Sequence, residues 1–258
     1  MPRALLLRSL PACVALTLGA CASSRAASVA PAPRSQVPAL TAPEAVVLPS
    51  DWATCPPREF ERMAFELLPA DVARPLSDAS RAALAAALAP QDAASARASV
   101  LLARSLEPGA KEVLLARLEE REEGPDRESD AGDVVAAAGL GAFQLGEPDL
   151  DRLAALVAGE RPHPDVEVRV EIARVALARG REVVIPFLLR VMREGTRSGL
   201  DQPIDWKRHE TMAWAKSRAA EALAAHLGEP VTFDPDGSIE AQERELERLS
   251  ARLGVVPR

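Results

Sequence analysis

The sequence contains no tyrosine, and aromatic residues make up only 3% of its 258 positions. Strands favour aromatic and β-branched side chains, whereas the alanine and leucine that dominate this chain are good helix formers. Hydrophobic residues account for 48% of the chain, which is enough for a sizeable core. The composition therefore predicts an all-α protein.

Cysteine is also scarce, and the sequence has only Cys13, Cys21 and Cys55. Small exported domains that lack a sufficient core are usually stapled by several disulfides. If Cys13 is removed with a leader and Cys21 is modified, Cys55 has no cysteine to pair with. This distribution excludes a disulfide-stapled exported domain.

Basic residues are fewer than acidic ones: the sequence has 31 lysines and arginines, 38 acidic residues and a net charge of −7. Contact with nucleic-acid phosphates depends on lysine and arginine, so we expect no nucleic-acid partner. The same deficit argues against electrostatic attraction to anionic lipid. Attachment to a membrane would need a covalent anchor.

Residues 1–20 have the layout of an export signal. Arg3 and Arg8 supply positive charge, and an apolar stretch from Leu10 to Leu18 follows. That stretch is shorter than the roughly 20 residues that a membrane-spanning helix needs. We therefore expect a cleaved leader rather than a membrane span.

The segment Leu18-Gly19-Ala20-Cys21 resembles the lipobox of bacterial lipoproteins. The resemblance implies cleavage between Ala20 and Cys21 and a diacylglyceryl group on the Cys21 thiol. Several acyl chains on one residue give stable anchoring where a single chain is marginal. Ala22 follows the cysteine, where an Asp favours retention in the inner membrane of enterobacteria, so the outer membrane is weakly favoured. The chain is thus expected in the cell envelope, with its body facing the periplasm or the exterior.

Residues 21–50 are rich in alanine, serine and proline and show no helical period. Such a composition is typical of a semi-extended, disordered linker. Lipidated Cys21 and this linker would hold the body, residues 51–258, away from the bilayer.

Three segments of the body share a rhythm of helix, break and helix. They span residues 94–118, 132–157 and 166–192, and a half unit follows at residues 216–230. Gly109, Gly146 and Gly180 stand at the breaks, where a left-handed helix cap favours glycine. Residues eight and four positions before these glycines are expected on the buried helix face. They include Leu101, Ala138, Ala142, Ile172 and Ala176. The strand-like alternation at residues 166–172 is assigned to a helix because the apolar pattern continues helically beyond it.

The third unit resembles a HEAT repeat of the bacterial HEAT-like kind. The resemblance rests on Asp165, Arg169, Ala173, Leu177 and Gly180, followed by Val184-Ile185-Pro186-Phe187-Leu188. It covers about residues 78–228 and implies an α-solenoid of helical hairpins. Residues 51–76 and a helix at residues 238–253 would then form the two caps. The alternative fold is an irregular helical bundle.

The motifs of common enzymes are missing from the sequence. No nucleophile elbow or phosphate-binding loop occurs, and His209-Glu210 lacks the second histidine of a zinc-protease motif. Cys55 lies in a proline-rich turn with no basic neighbour in the sequence to activate it. The acidic turn at residues 234–237 lacks the remaining ligands of a calcium loop. We therefore predict no catalytic residue, metal or cofactor, apart from the lipid on Cys21.

Residues 196–211 interrupt the repeat rhythm and carry Trp206, Lys207, Arg208 and His209, an aromatic beside basic groups in an acidic chain. Tryptophan and arginine are enriched at binding hot spots, and insertions in repeat arrays often map to a functional face. These four residues are the candidate contacts to a protein partner. The alternative is that Trp206 packs on the helices and pins its own loop.

Together these features favour a non-enzymatic envelope lipoprotein whose helical repeats act as a protein-binding scaffold. One alternative is an enzyme, or an enzyme-associated module, of the cell envelope. Another is a structural lipoprotein that self-associates through an apolar stripe on its last helix, formed by Ile239, Leu246, Leu249 and Leu253.

Overall fold

The computed structural model describes residues 44–69, 72–88, 94–120, 131–194 and 206–255. Ten α-helices and two short 3₁₀ segments lie in these ranges, and the extended pairing there is a single bridge between Val46 and Leu76. The all-α prediction is therefore confirmed for the described part of the chain. The expected leader, Ala20, Cys21 and the linker up to residue 43 lie outside it.

The helices follow one another with short connections. Their bounds are α1 Pro57–Leu67, α2 Asp78–Ala87, α3 Ser95–Ser105, α4 Pro108–Glu119, α5 Ala131–Gly139, α6 Glu147–Ala158, α7 Val166–Ala178, α8 Ile185–Arg193, α9 Trp206–Leu227 and α10 Ile239–Arg252. The 3₁₀ segments Leu140–Ala142 and Glu182–Val184 follow α5 and precede α8. Within the described ranges, no helix combines the length and the apolar character needed to cross a bilayer.

Helix starts follow local capping chemistry. The side chains of Ser77, Asp165 and Ser238 each accept a backbone N–H of the first turn of α2, α7 and α10. Such caps satisfy amide groups that have no partner inside the helix. Helices α1, α4, α6 and α8 carry proline in the first turn, where its missing N–H costs nothing.

Helix ends agree only in part with the glycine pattern of the sequence. Gly180 has a φ angle of +83°, so the left-handed cap expected after α7 is confirmed. Gly228, after α9, also has a positive φ of +67°. Gly109 instead lies within α4, and Gly146 precedes α6 with φ of −83°. The left-handed residue after α3 is Leu106, with φ of 55°.

Helices α3, α5, α7 and α9 pack side by side in chain order. Helix α4 packs on α3 and α5, α6 on α7, α8 on α7 and α9, and α10 on α8. Small residues set the closest approach in this row, since a Cβ on Gly139 of α5 would lie 2.7 Å from the Cβ of Ala103 on α3. The crossing of α3 and α5 therefore requires glycine at one of the two contacting positions.

Helix α7 is buried on most of its surface because α5, α6, α8 and α9 all contact it. Val168, Val170 and Ile172 are each 0% exposed. This explains the alternation that resembles a strand: a helix covered on several sides needs no single apolar stripe. The helical prediction for this segment is confirmed.

The residues predicted to be buried are buried in α3 and α7, but not in α5 and the segment after it. Leu101, Ile172 and Ala176 are fully buried, whereas Ala138 and Ala142 are exposed. In α5 and the 3₁₀ segment after it, the buried residues are Ala136, Ala137 and Leu140. The positions eight and four before Gly146 therefore fall on the exposed side of α5 and of the 3₁₀ segment after it.

Ion pairs in which the carboxylate is buried also connect the helices. Nε of Arg117 on α4 lies 2.8 Å from Oδ1 of Asp133 on α5, and the two side chains are 5% and 4% exposed. Nε of Arg218 on α9 lies 2.9 Å from Oε1 of Glu171 on α7. Such pairs favour one register of neighbouring helices, because separating them leaves a buried charge without compensation.

Candidate functional site

A cleft of about 340 Å³ opens where the end of α6 meets the starts of α7 and α8. Its apolar lining comes mainly from Val157, Pro162, Val183, Pro186 and Phe187, and its polar lining is the guanidinium groups of Arg169 and Arg190. The volume is at the lower end of the range of small ligand pockets. The cleft is large enough for a side chain or a small molecule.

Local sequence signals shape the cleft. A Cβ at Gly159 would lie 2.6 Å from the carbonyl oxygen of Ala155, so the tight end of α6 requires glycine. Asp165 then caps α7 through the N–H groups of Glu167 and Val168. Pro186 fixes the first turn of α8 after the 3₁₀ segment. These three features place Arg169 against the Phe187 ring in the lining of the cleft.

Arg169 is held in the cleft wall without a carboxylate partner among the described residues. Its Nη2 donates to the carbonyl oxygen of Val157 at 2.7 Å, and its guanidinium carbon lies 4.2 Å from the centre of the Phe187 ring. Its Nε is buried and has no hydrogen-bond partner. Burial, and then the nearby charge of Arg190, lower the pKa of Arg169, and the charge of Glu194 offsets this in part.

Arg190 is exposed at the edge of the same cleft. Its guanidinium carbon lies 5.8 Å from the Phe187 ring centre, so the ring contacts both arginines. In the described part of the chain Arg190 makes neither an ion pair nor a hydrogen bond of its side chain. Val183 stands beside it with 58% of its surface exposed. The cleft thus joins two cationic groups to an exposed apolar edge.

This arrangement is suited to binding an anion rather than to catalysis. Guanidinium groups donate parallel hydrogen bonds to carboxylate or phosphate oxygens. The cleft lining contains no carboxylate, imidazole, hydroxyl or thiol side chain that would act as acid, base or nucleophile. Such a lining is able to hold a negative group next to an apolar one.

The partner contacts predicted from the sequence lie at the start of α9. Trp206, Lys207, Arg208 and His209 form its first turn, so the expected interruption at residues 196–211 is wrong from residue 206 onward. Helix α9 is longer than the sequence suggested, because proline and glycine are absent from residues 206–227. The four side chains, and residues 196–205, lie outside the described parts. Their role in binding stays a prediction.

Cys55 has a basic neighbour that the sequence did not indicate. Its thiol is buried and donates to the carbonyl oxygen of Trp52 at 3.6 Å, while Nη1 of Arg97 lies 3.8 Å from Sγ. Arg97 also donates to the carbonyl oxygen of Ala53 at 3.0 Å. The expectation of no basic neighbour was wrong because Arg97 comes from α3, far along the chain. The contacts tie the segment before α1 to α3.

The histidines and the acidic turn are separate features. His163 is buried, and its Nδ1 accepts the N–H of Asp165 at 3.2 Å. His226 lies 3.7 Å from Glu182. The carboxylate of Asp234 accepts the N–H of Asp236 at 3.0 Å, as in a turn. Across the described ranges, no three residues of metal-binding type are grouped as a metal site would require.

The apolar stripe of the last helix is mostly covered within the chain. Leu246 and Leu249 are fully buried and belong to the core, where α10 packs on α8. Leu253 is partly buried, and Ile239 is 46% exposed. Little of this stripe is left for a second helix.

The HEAT-like pattern of the sequence contains Arg169, Pro186 and Phe187 but does not indicate the cleft. Arg190 and Val183 were not singled out, because an arginine and a valine in an amphipathic helix are ordinary residues. Only the packing of the helices shows that both arginines contact the Phe187 ring and have no carboxylate partner among the described residues.

Comparisons of this chain with protein-family models, with curated proteins and with solved structures find no match.

Proposed function

We propose that this protein is a lipid-anchored component of the bacterial cell envelope whose helical body binds a protein partner without catalysing a reaction. The observation that carries the binding role is the arginine cleft between α6, α7 and α8. It offers cationic and apolar groups together and no catalytic group.

The proposed architecture is an α-solenoid of HEAT-like hairpins. Helices α3, α5, α7 and α9 in one row, with α4, α6 and α8 packed against that row, support this arrangement. The contacts of Arg169 support the HEAT-like assignment, because they join the first helix of a hairpin to the preceding unit and to Phe187 of its own second helix. Asp165 caps that first helix. A solenoid is suited to a scaffold because its stacked repeats present an extended surface.

The lipid anchor rests on Leu18-Gly19-Ala20-Cys21 and is tested separately from the scaffold. In cells expressing the full chain, the mass of the amino-terminal peptide should show cleavage before Cys21 and acylation of that residue. A Cys21→Ser variant should lose the acylation and leave the membrane fraction, whereas a Cys13→Ser variant should behave as wild type. An unmodified Cys21 in the mature wild-type chain would reject the anchor.

The scaffold is tested by mild crosslinking in intact cells, followed by purification of the full chain from detergent-solubilised envelopes. We expect one protein to co-purify in near-equal amount with wild type. The double variant Trp206→Ala, Arg208→Glu should lose it if the start of α9 contributes, and Arg58→Glu on the exposed side of α1 serves as the control. No specific partner in any sample would reject the scaffold, and hydrolysis of cell-wall or peptide substrates would favour the enzyme alternative.

A further inference from the structure

At several helix junctions an arginine of one helix pairs with a carboxylate of another. Where α7 meets α9, for example, Arg218 lies 2.9 Å from Glu171. Arg169 and Arg190 have no such carboxylate among the described residues, although the chain as a whole is acidic. Two guanidinium groups therefore contact one aromatic ring, and the charge of Glu194 acts on Arg169 without a direct ion pair among the described residues.

Arg169 also has unused hydrogen-bonding capacity inside the cleft wall. A guanidinium group has five N–H donors. One of its nitrogens donates to Val157, and the buried Nε has no hydrogen-bond partner among the described residues. An unsatisfied buried donor is costly, and a carboxylate oxygen arriving beside the guanidinium groups would be stabilised by both positive charges.

We propose that this cleft binds the side-chain carboxylate of a glutamate or aspartate in a partner polypeptide, with an apolar neighbour of that residue contacting Val183 and Phe187. The inference rests on the proposed function, since it names the chemistry of the partner that the scaffold binds. The exposed Val183 and the faces of Pro162 and Pro186 form the apolar part of the contact.

A side-chain carboxylate fits the cleft better than the carboxyl terminus of a chain. Terminal carboxylates are usually captured by several converging backbone N–H groups. At the start of α8, Pro186 has no N–H, and the N–H of Ile185 already donates to Glu182. The positively charged donors of the cleft are the two arginine side chains, and about 340 Å³ holds a side chain rather than a folded segment.

The test uses four synthetic peptides and the full, lipidated chain in detergent micelles. The first peptide is acetyl-Leu-Glu-Val-amide, and the second replaces Glu by Gln. The third is the Gln peptide with a free carboxyl terminus, and the fourth replaces Glu by phosphoserine. Binding is followed through the ¹⁵N–¹H resonances of the arginine Nε–H groups and through titration calorimetry.

We expect the Glu peptide to bind, to move the Arg169 Nε–H resonance, and to bind at least about tenfold more tightly than the Gln peptide. An Arg190→Gln variant should lose about tenfold in affinity for the Glu peptide. Its thermal unfolding should be unchanged, because Arg190 makes no hydrogen bond or ion pair among the described residues. The same charge change in Arg58→Gln, on α1, should leave binding as in wild type.

Equal binding of the Glu and Gln peptides would overturn the inference. So would preferential binding of the free-terminus or phosphoserine peptide, which would assign the cleft to a different anion. If a partner co-purifies equally with wild type and Arg190→Gln while the Glu peptide fails to bind, this inference is rejected. The proposal of a protein-binding scaffold then stands. Absence of any co-purifying partner would reject the scaffold itself.

Discussion

The Nζ atom of Lys111 on α4 lies 2.7 Å from Oδ2 of Asp149 on α6. The same carboxylate oxygen accepts the backbone N–H of Gly146 at 3.0 Å, just before α6 begins. The side chains of Lys111 and Asp149 are 17% and 11% exposed, so both charges are largely shielded from water. This contact fixes the start of α6 against α4.

The first prediction concerns acid stability. Burial alone would raise the pKa of Asp149, but the hydrogen bond from Lys111, the N–H of Gly146 and the charges of Lys111 and Arg152 hold it below its ordinary 3.8. A carboxyl group with a lowered folded pKa stabilises the fold above its unfolded pKa and loses that contribution as pH falls through the folded pKa. Asp149→Asn should lower the free energy of unfolding by about 2 kcal/mol at neutral pH. The difference from wild type should shrink as the pH falls below 3.8 and through the lowered folded pKa of Asp149.

Urea unfolding at a series of pH values measures this difference. Asp151→Asn is the matched control, because Asp151 is 72% exposed and its pair with Arg181 contributes little in water. A difference that stays constant from neutral to acid pH would contradict the assignment to ionised Asp149.

The second prediction concerns the close approach of α3 and α5. In Gly139→Ala the new Cβ would meet that of Ala103 at 2.7 Å, so the helices must separate. We expect a loss of about 1 kcal/mol, since overpacking exceeds the gain in helix propensity. Combining it with Ala103→Gly should reveal a favourable coupling of about 1 kcal/mol in a double-mutant cycle.

Gly141→Ala is the control for this crossing, since its Cβ would lie 3.4 Å from Val175 and needs at most a small adjustment. Strictly additive effects of Gly139→Ala and Ala103→Gly would show that the two positions do not touch.

The third prediction separates the two kinds of glycine that the sequence pattern treats as equivalent. Gly180 has φ of +83° with open space around its missing Cβ, so Gly180→Ala strains only the backbone. We expect a loss of about 1 kcal/mol for this variant. Gly146→Ala should be tolerated to within about 0.5 kcal/mol, because its φ is −83°. Equal losses from thermal or urea unfolding would contradict the assigned helix ends.

The fourth prediction concerns α10. Leu246 is fully buried, so Leu246→Glu places a carboxylate in the core and should cost at least about 3 kcal/mol of stability. Ile239→Glu should change stability by less than about 0.5 kcal/mol, because that side chain is 46% exposed. Light scattering of wild type and Ile239→Glu tests self-association through the one exposed position of the stripe. A dimer that Ile239→Glu dissociates would favour the structural alternative.

The helical class was predictable because it follows from local chemistry. Alanine and leucine content, the cap at Asp165 and the glycine at position 180 act within a few residues of their own positions. The error at Gly146 arises because the prediction used local sequence alone. A glycine before a helix and a glycine after one are identical in sequence. Only φ separates the two, and φ depends on which helix the residue joins.

The cleft was not predictable because it depends on contacts between helices. Arg169 and Phe187 lie 18 positions apart and meet only when α7 and α8 pack. Arg97 reaches Cys55 for the same reason, across 42 positions. A periodic pattern identifies the buried face of each helix, but it does not show which charged residues have a partner of opposite sign.

The most direct test of the scaffold account places a photo-crosslinking amino acid at Val183, on the rim of the cleft, in cells expressing the full chain. A matched position is Val47, which is 71% exposed and lies outside the helices. The account predicts one discrete adduct with a different protein from Val183 after irradiation, and none from Val47. No adduct from Val183, or an adduct only with a second copy of this chain, would contradict the account.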